Sequence, residues 1–179
     1  GFAVGLPPGP QAEPPHPSIP PRVHYDGRSE RFVHGFDHFC GVLGTPIGER
    51  NHCRFWWFLC MQMGALWFGI SVVHSGYVYA YEMDVWWQDN WGKVLLSITL
   101  YVLQLFVTAL LGIHTWHALT NTTSVELFKG PGAVWYLRHT RPCDLPYSRD
   151  ALRNLTEFCC KRDGIWAALA NKEWKPQRY

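Results

Sequence analysis

Phe55–Val73 reads FWWFLCMQMGALWFGISVV and Val94–Ile113 reads VLLSITLYVLQLFVTALLGI, and these two runs decide the fold. No Asp, Glu, Lys or Arg interrupts the 27 residues 55–81 or the 32 residues 94–125. Roughly 20 apolar residues cross the hydrocarbon core of a bilayer, so each run is long enough to span it with some tilt. Two soluble helices buried on every side would need more covering chain than the rest of 179 residues offers. The sequence therefore predicts an all-α membrane fold. Its centre is a two-span transmembrane helical hairpin, 55–81 and 94–120, joined by an acidic, Trp-rich loop at 82–93.

Orientation follows from the basic residues. Residues 82–93 carry Lys93 alone against Glu82, Asp84 and Asp89, while five Lys and Arg precede Phe55 and ten follow Val125. The positive-inside rule then puts both termini on the cytosol-equivalent side. Trp86, Trp87 and Trp91 are placed as aromatic anchors at the far interface.

The flanks are polar. Eight Pro among residues 1–22 forbid a helix there and predict an extended, polyproline-like arm lying against a partner. With no apolar leader in that arm, the expected home is an integral membrane, with a lean towards the mitochondrial inner membrane over the endomembranes. In the polar C-terminal region, 121–179, Ser148 is a candidate cap for a short helix with Ala151, Leu155, Phe158 and Cys159 on one face. Gly164 would end it, and 165–174 would form a second short helix.

Composition narrows the function. The chain is 16% aromatic and 17% charged, against a usual charged share of about 25%. A net charge of +2 gives no clustered cation for phosphates, so nucleic acid is not an expected partner. None of the six Cys forms a CxxC pair, which excludes a sequence-evident zinc ribbon or redox dithiol, and no disulfide scaffold is expected.

Asp37-His38-Phe39-Cys40 places an acid, a base and a thiol within four residues. A His can take the thiol proton, and an Asp can orient and stabilise the imidazolium. His114 and His117, one turn apart on the second span, suit a metal or quinone contact, but hydrogen bonding near the interface is the favoured reading. Cys159-Cys160 are candidates for lipidation, with packing as small apolar residues preferred. The sequons at Asn121 and Asn154 fall on the non-lumenal side and are expected to be unused.

The run PPRVHYDGRSERFVHGFDHFCGVLGTPIGERNHCRFWWFL, Pro20–Leu59, resembles the cysteine-rich domain of DHHC protein S-acyltransferases without a gap. Pro20, Pro21, Arg22, Phe36, Asp37, His38, Cys40, Gly48, Arg50 and Asn51 fall in register with it. After the second span, Thr123–Glu126 stands in the slot of the family's TTxE motif, and Pro146-Tyr147 and Arg153-Asn154 look like its C-terminal motif. The resemblance covers about 160 residues in the family's order of elements. It implies Cys40 as the nucleophile for acyl-CoA, His38 as its base and Asp37 as the orienting acid. Asn51, Thr123, Glu126 and Asn154 become supporting motif residues.

The resemblance also implies two structural zincs, and here this sequence departs. The matching ligand positions are Ala12, Pro15, Tyr25, Asp26, Ser29, Phe32, Phe39 and Pro46, so 23–54 is expected to be a degenerate, zinc-free version of the domain. No firmly bound cofactor or metal is expected, with acyl-CoA as substrate if the site is active. Gly41-Val42 replaces a Pro-Trp, and two N-terminal spans of the family have no counterpart. Two functions follow: an acyltransferase-derived accessory subunit, a pseudoenzyme packed among other membrane subunits and lipids, or an active zinc-free S-palmitoyltransferase working through Cys40. On the missing scaffold, the sequence favours the first.

Overall fold

A computed structural model describes residues 22–141 and 144–160. Arg54–Thr115 forms one compact unit, and the described residues on either side of it form a second.

The apolar unit is built from two long helices. α1 runs His52–Ser75 and α2 runs Met83–Thr120. At 1.5 Å per residue they measure about 36 and about 57 Å. Both are long and apolar enough to cross a membrane, and only 11% and 6% of their most apolar windows are buried inside the protein. Trp67, Phe68, Leu105 and Phe106 stand exposed on them, which suits lipid rather than water. Trp56 Nε1 donates to Thr115 Oγ1 at 2.9 Å, and the Phe55 ring meets His114 edge-on at 4.9 Å.

The helix ends differ from expectation. α1 stops at Ser75, and α2 starts at Met83, so most of 82–93 is helix and not loop. Asp84 in the first turn favours that start, since an acid there meets the positive end of the helix dipole. Asn90, fully buried, then secures the short connection. Its amide donates to the Val78 and Trp86 carbonyls, and its oxygen accepts from Val78 N, all at 2.8–2.9 Å.

The second unit corrects the all-α expectation, because it contains two small antiparallel sheets. β1 (Val23–Asp26) pairs with β2 (Arg31–His34), and β3 (His38–Cys40) pairs with β4 (Thr45–Ile47). Each hairpin turns through four residues whose last, Glu30 or Gly44, takes positive φ. Strands of three or four residues are too short for alternation to stand out in the sequence. Gly48, just after β4, is forced by closeness: a Cβ there would sit 2.5 Å from Val33 Cγ1 and 2.9 Å from the His34 carbonyl.

α3 (Ser124–Ala133) begins at a complete capping box, Thr123 with Glu126. Asn121 between α2 and α3 has φ 50°, and Thr122 N donates back to the His117 carbonyl, the arrangement that closes a helix around a left-handed residue. α4 runs Ala151–Cys159, capped by Asp150 and not by Ser148. Ala151 and Leu155 are exposed, so the predicted apolar face is not its buried one; Asn154 is. Asp150 wins because its carboxylate reaches Arg153 N. The arm 1–21, Gly164 and the helix predicted at 165–174 lie outside the described residues.

Cys53 and Cys159 form a disulfide across 106 residues, against the expectation of none. It also corrects the reading of Cys159 as lipidated or merely packed. Cys40, Cys60 and Cys160 are free.

Candidate active site

Among the described residues, the largest fully buried side chains are Ile47, His117, Asn90, Asn154 and Asp37, of which Ile47 alone is apolar. Four polar groups can be buried together only if their hydrogen bonds are met. In the β-containing unit those of His117 lead through Ser124 to Asp37.

Asp37 Oδ1 accepts from Ser124 N at 2.6 Å, and Oδ2 accepts from Ser124 Oγ at 3.0 Å. Ser124 opens α3, so the positive end of that helix points at the carboxylate. His38 Nδ1 lies 2.7 Å from Asp37 Oδ2. A carboxylate only accepts, so Nδ1 carries the proton, and in the neutral ring Nε2 is the basic nitrogen. Burial opposes the charge on Asp37. The His38 bond, the His52 imidazole, Ser124 N and His117 outweigh it and hold the carboxyl well below the usual range. Residues i and i+2 of a strand share a face, so His38 and Cys40 project to one side of β3. Asp37 and His38 thus form a hydrogen-bonded acid–base pair, and the half-buried Cys40 stands two residues along the same strand.

The four supporting residues each hold backbone. Asn51 accepts from Gly48 N and donates to the Pro46 carbonyl, both at 2.9 Å, fixing the corner between β4 and α1. Thr123 caps α3. Asn154 donates to the Leu119 carbonyl at 2.6 Å and to Ser148 Oγ, and accepts from Arg149 N, tying α4 to the end of α2. Glu126 receives a two-pronged Arg22 guanidinium at 2.8 and 3.0 Å and also Tyr136 Oη at 3.2 Å. Burial and the Glu126 charge push the Tyr136 hydroxyl far above its ordinary value, so it stays a donor.

Arg22, Asn121 and Tyr147 gain roles the sequence did not assign. Arg22 also donates to Asn121 Oδ1 and to the Asn121 carbonyl, and lies 4.5 Å over the Tyr147 ring. Those partners lie about 100 positions away in sequence, and no local pattern announces them. Ser124 was quoted only as part of the TTxE slot. His117 takes the hydrogen-bonded reading favoured over the metal one: its Nδ1 lies 3.1 Å from Thr122 Oγ1 and its Nε2 3.1 Å from Ser124 Oγ. A cavity of about 630 Å³ opens behind it, lined by Arg22, His52, Asn121, Tyr147 and Glu157, with Cys40 outside its walls.

The positions matching zinc ligands come together in pairs. Tyr25 faces Phe32 across the first hairpin with ring centroids 5.1 Å apart. Asp26 Oδ2 accepts from Ser29 Oγ at 2.6 Å and from Ser29 N at 3.0 Å. Phe39 faces Pro46 across the second hairpin, and the Arg28 guanidinium stacks on the Phe39 ring at 5.2 Å. Phenyl, phenol, prolyl and hydroxyl groups are not the thiolates and imidazoles of a structural zinc site. The one carboxylate is engaged by Ser29, so these residues do not fit the family's zincs. Ala12 and Pro15 lie outside the described residues.

Comparison with known proteins gives the lineage. The family model for the DHHC palmitoyltransferase domain matches residues 16–131. Protein S-acyltransferase 10 of Arabidopsis thaliana is 34% identical over 145 residues, which is 81% of this chain and 42% of that protein. Palmitoyltransferase ZDHHC12 is similar: 32% over 142 residues in Homo sapiens and 30% over 142 in Mus musculus, each 79% of this chain and 52% of the relative. This chain therefore spans about half the length of these relatives. The relation gives the mitochondrial expectation no support. With Asp37, His38 and Cys40 inside the matched segment, this chain belongs to the DHHC palmitoyltransferase family.

Proposed function

We propose that the chain carries the catalytic centre of a membrane-bound protein S-acyltransferase that takes a long-chain acyl group from acyl-CoA. The observation behind this is the Asp37 carboxylate, buried and met by three donors, which orients His38 on the strand face that it shares with Cys40. A carboxylate kept only for packing would not need its charge stabilised from two sides. The order of the two functions drawn from sequence is thereby reversed. The missing-span argument loses force too, because the chain covers only half the length of its relatives.

In the first step the Cys40 thiol gives its proton to His38 Nε2, and the sulfur attacks the thioester carbon of acyl-CoA. The C–S bond to coenzyme A breaks, and the departing thiolate takes the proton from His38. In the second step a substrate thiol loses its proton to His38 and attacks the Cys40 thioester. Cys40 leaves as thiolate and is reprotonated. Asp37 stabilises the imidazolium in both steps without itself changing protonation.

The hairpins bearing this site hold together without zinc, through the Tyr25–Phe32 and Arg28–Phe39 contacts and the Asp26–Ser29 turn. α1 and α2 anchor it in an endomembrane with lipids as neighbours. The test is transfer to a cysteine-containing substrate by the full chain in bilayers. Loss of transfer in Cys40→Ser, with the protein still folded, supports the proposal. Equal transfer with and without Cys40 rejects it. The second reading, an accessory subunit, draws on the exposed aromatic faces of α1 and α2, which suit partner helices as well as lipid. It predicts that removing residues 1–22 breaks an assembly while Cys40→Ser changes nothing.

A further inference from the structure

His117 is buried, yet it belongs to neither the nucleophile nor its base. Both its ring nitrogens meet hydroxyls, and its Nε2 lies 3.9 Å from Asp37 Oδ1. The direction of these bonds can be worked out from one end. Asp37 only accepts, so Ser124 Oγ spends its single proton on Asp37 Oδ2. Towards His117, Ser124 Oγ can then only accept, which puts a proton on His117 Nε2. Nδ1 lies 3.1 Å from Thr122 Oγ1, whose own proton goes to Thr120 Oγ1 at 2.7 Å, since Thr120 Oγ1 donates to the Trp116 carbonyl. The donors run in one sense from His117 to Ser124 to Asp37, and His38 Nδ1 meets the same carboxylate. Bonds aligned in one direction polarise one another.

We infer that His117 is a positioning residue for the acyl-transfer chemistry: it fixes the Ser124 hydroxyl on Asp37 and so sets the orientation of His38. This rests on the acyltransferase reading, in which His38 activates Cys40. The last turn of α2, read in sequence as the end of the second span with hydrogen bonding near the interface, is then the back wall of the active site. The ionisable groups facing His117 are Asp37, His38, His52 from the start of α1 and Glu126 from α3. Arg22 and Glu157 lie across the cavity that His117 lines.

The test reads Cys40 without acyl-CoA. Alkylation of the full chain by iodoacetamide is followed from pH 5.5 to 9, a span of about three units around the imidazole value, by mass spectrometry of the Cys40 peptide. Cys60 and Cys160 serve as internal controls. His117→Leu should slow Cys40 alkylation about five- to tenfold at neutral pH, the worth of one hydrogen bond, and displace its pH profile. His117→Gln, which keeps a donor for Ser124, should restore the rate to within about twofold. His117→Leu combined with Ser124→Ala should do no more than the larger single effect, as for residues acting along one path. If the leucine variant does not fold, Ser124→Ala reads the same relay at its carboxylate end. A rate and profile coincident with wild type in His117→Leu or Ser124→Ala, or no rescue by Gln, overturns the inference. Palmitoyl-CoA loading run in parallel separates the two claims. Relay effects on alkylation without loading would sink the acyltransferase reading alone, and loading indifferent to His117 would sink the relay alone.

Discussion

Replacing Asp37 by Asn keeps its shape and removes its charge. In the native site three donors converge on the carboxylate: Ser124 N at 2.6 Å, His38 Nδ1 at 2.7 Å and Ser124 Oγ at 3.0 Å. An asparagine oxygen can still accept from Ser124 N. Its NH2 group would then face the His38 Nδ1–H and the Ser124 hydroxyl, donor against donor. His38 escapes the conflict by moving its proton to Nε2, the atom that must take the Cys40 proton. The same change in a serine-protease triad costs about 10⁴ in kcat, so the rate of Cys40 loading by palmitoyl-CoA should fall about 10³- to 10⁴-fold. Stability suffers as well. Two charge-assisted bonds at about 1.5–3 kcal/mol each put the loss at about 3–6 kcal/mol, read as a lower denaturation midpoint. The sign of the pH effect is fixed by the depressed carboxyl. The stabilisation from ionised Asp37 is fully present above its ordinary value of 3.8 and is lost as pH falls through its lower value in the folded chain. Asp37→Asn should therefore flatten the acid limb of the stability curve. A loading rate within about threefold of wild type would refute the assignment of His38 as a base oriented by Asp37.

Arg22→Lys keeps the charge but not the two-pronged contact with Glu126 or the bonds to Asn121, and should lower stability by about 2–3 kcal/mol in chemical denaturation. Gly48→Ala drives a methyl group into Val33 and the His34 carbonyl, and should cost about 1–3 kcal/mol in the same assay. Peptide mapping without reductant should recover the Cys53 and Cys159 peptides joined; closing a loop of 106 residues is worth about 4–5 kcal/mol on chain-entropy grounds, so the double Ser variant should unfold earlier. Elemental analysis of the purified chain should find no stoichiometric zinc, and chelators should leave its melting unchanged, whereas Phe32→Ala should lower it by undoing the pair with Tyr25.

Long, uncharged and aromatic, the two membrane-length helices were plain from residues 55–81 and 94–125, since helical length and charge are local properties. Asp37, His38 and Cys40 were legible for the same reason: they sit within four positions. What stayed hidden is nonlocal. Arg22 meets Glu126 across 104 positions, and Cys53 meets Cys159 across 106. The extension of α2 through 83–93 was masked by acidic residues that read as loop until Asn90 is seen closing the connection. The four short strands lack the length for a period-two pattern, and Asp150 outcompeted Ser148 as a cap through a contact three residues on. His117 and Ser124 meet only because a left-handed Asn121 folds the start of α3 back onto the end of α2. That turn could have been suspected from an Asn before a Thr-rich cap, but its contact with Asp37 could not.

The most direct measurement is the intact mass of the full chain in nanodiscs after incubation with palmitoyl-CoA, before and after neutral hydroxylamine. The catalytic reading predicts one hydroxylamine-labile palmitoyl group, located by peptide mapping on Cys40 and absent from Cys40→Ser. A Cys40 thiol that stays free, in a chain whose fold and disulfide are intact, would contradict it.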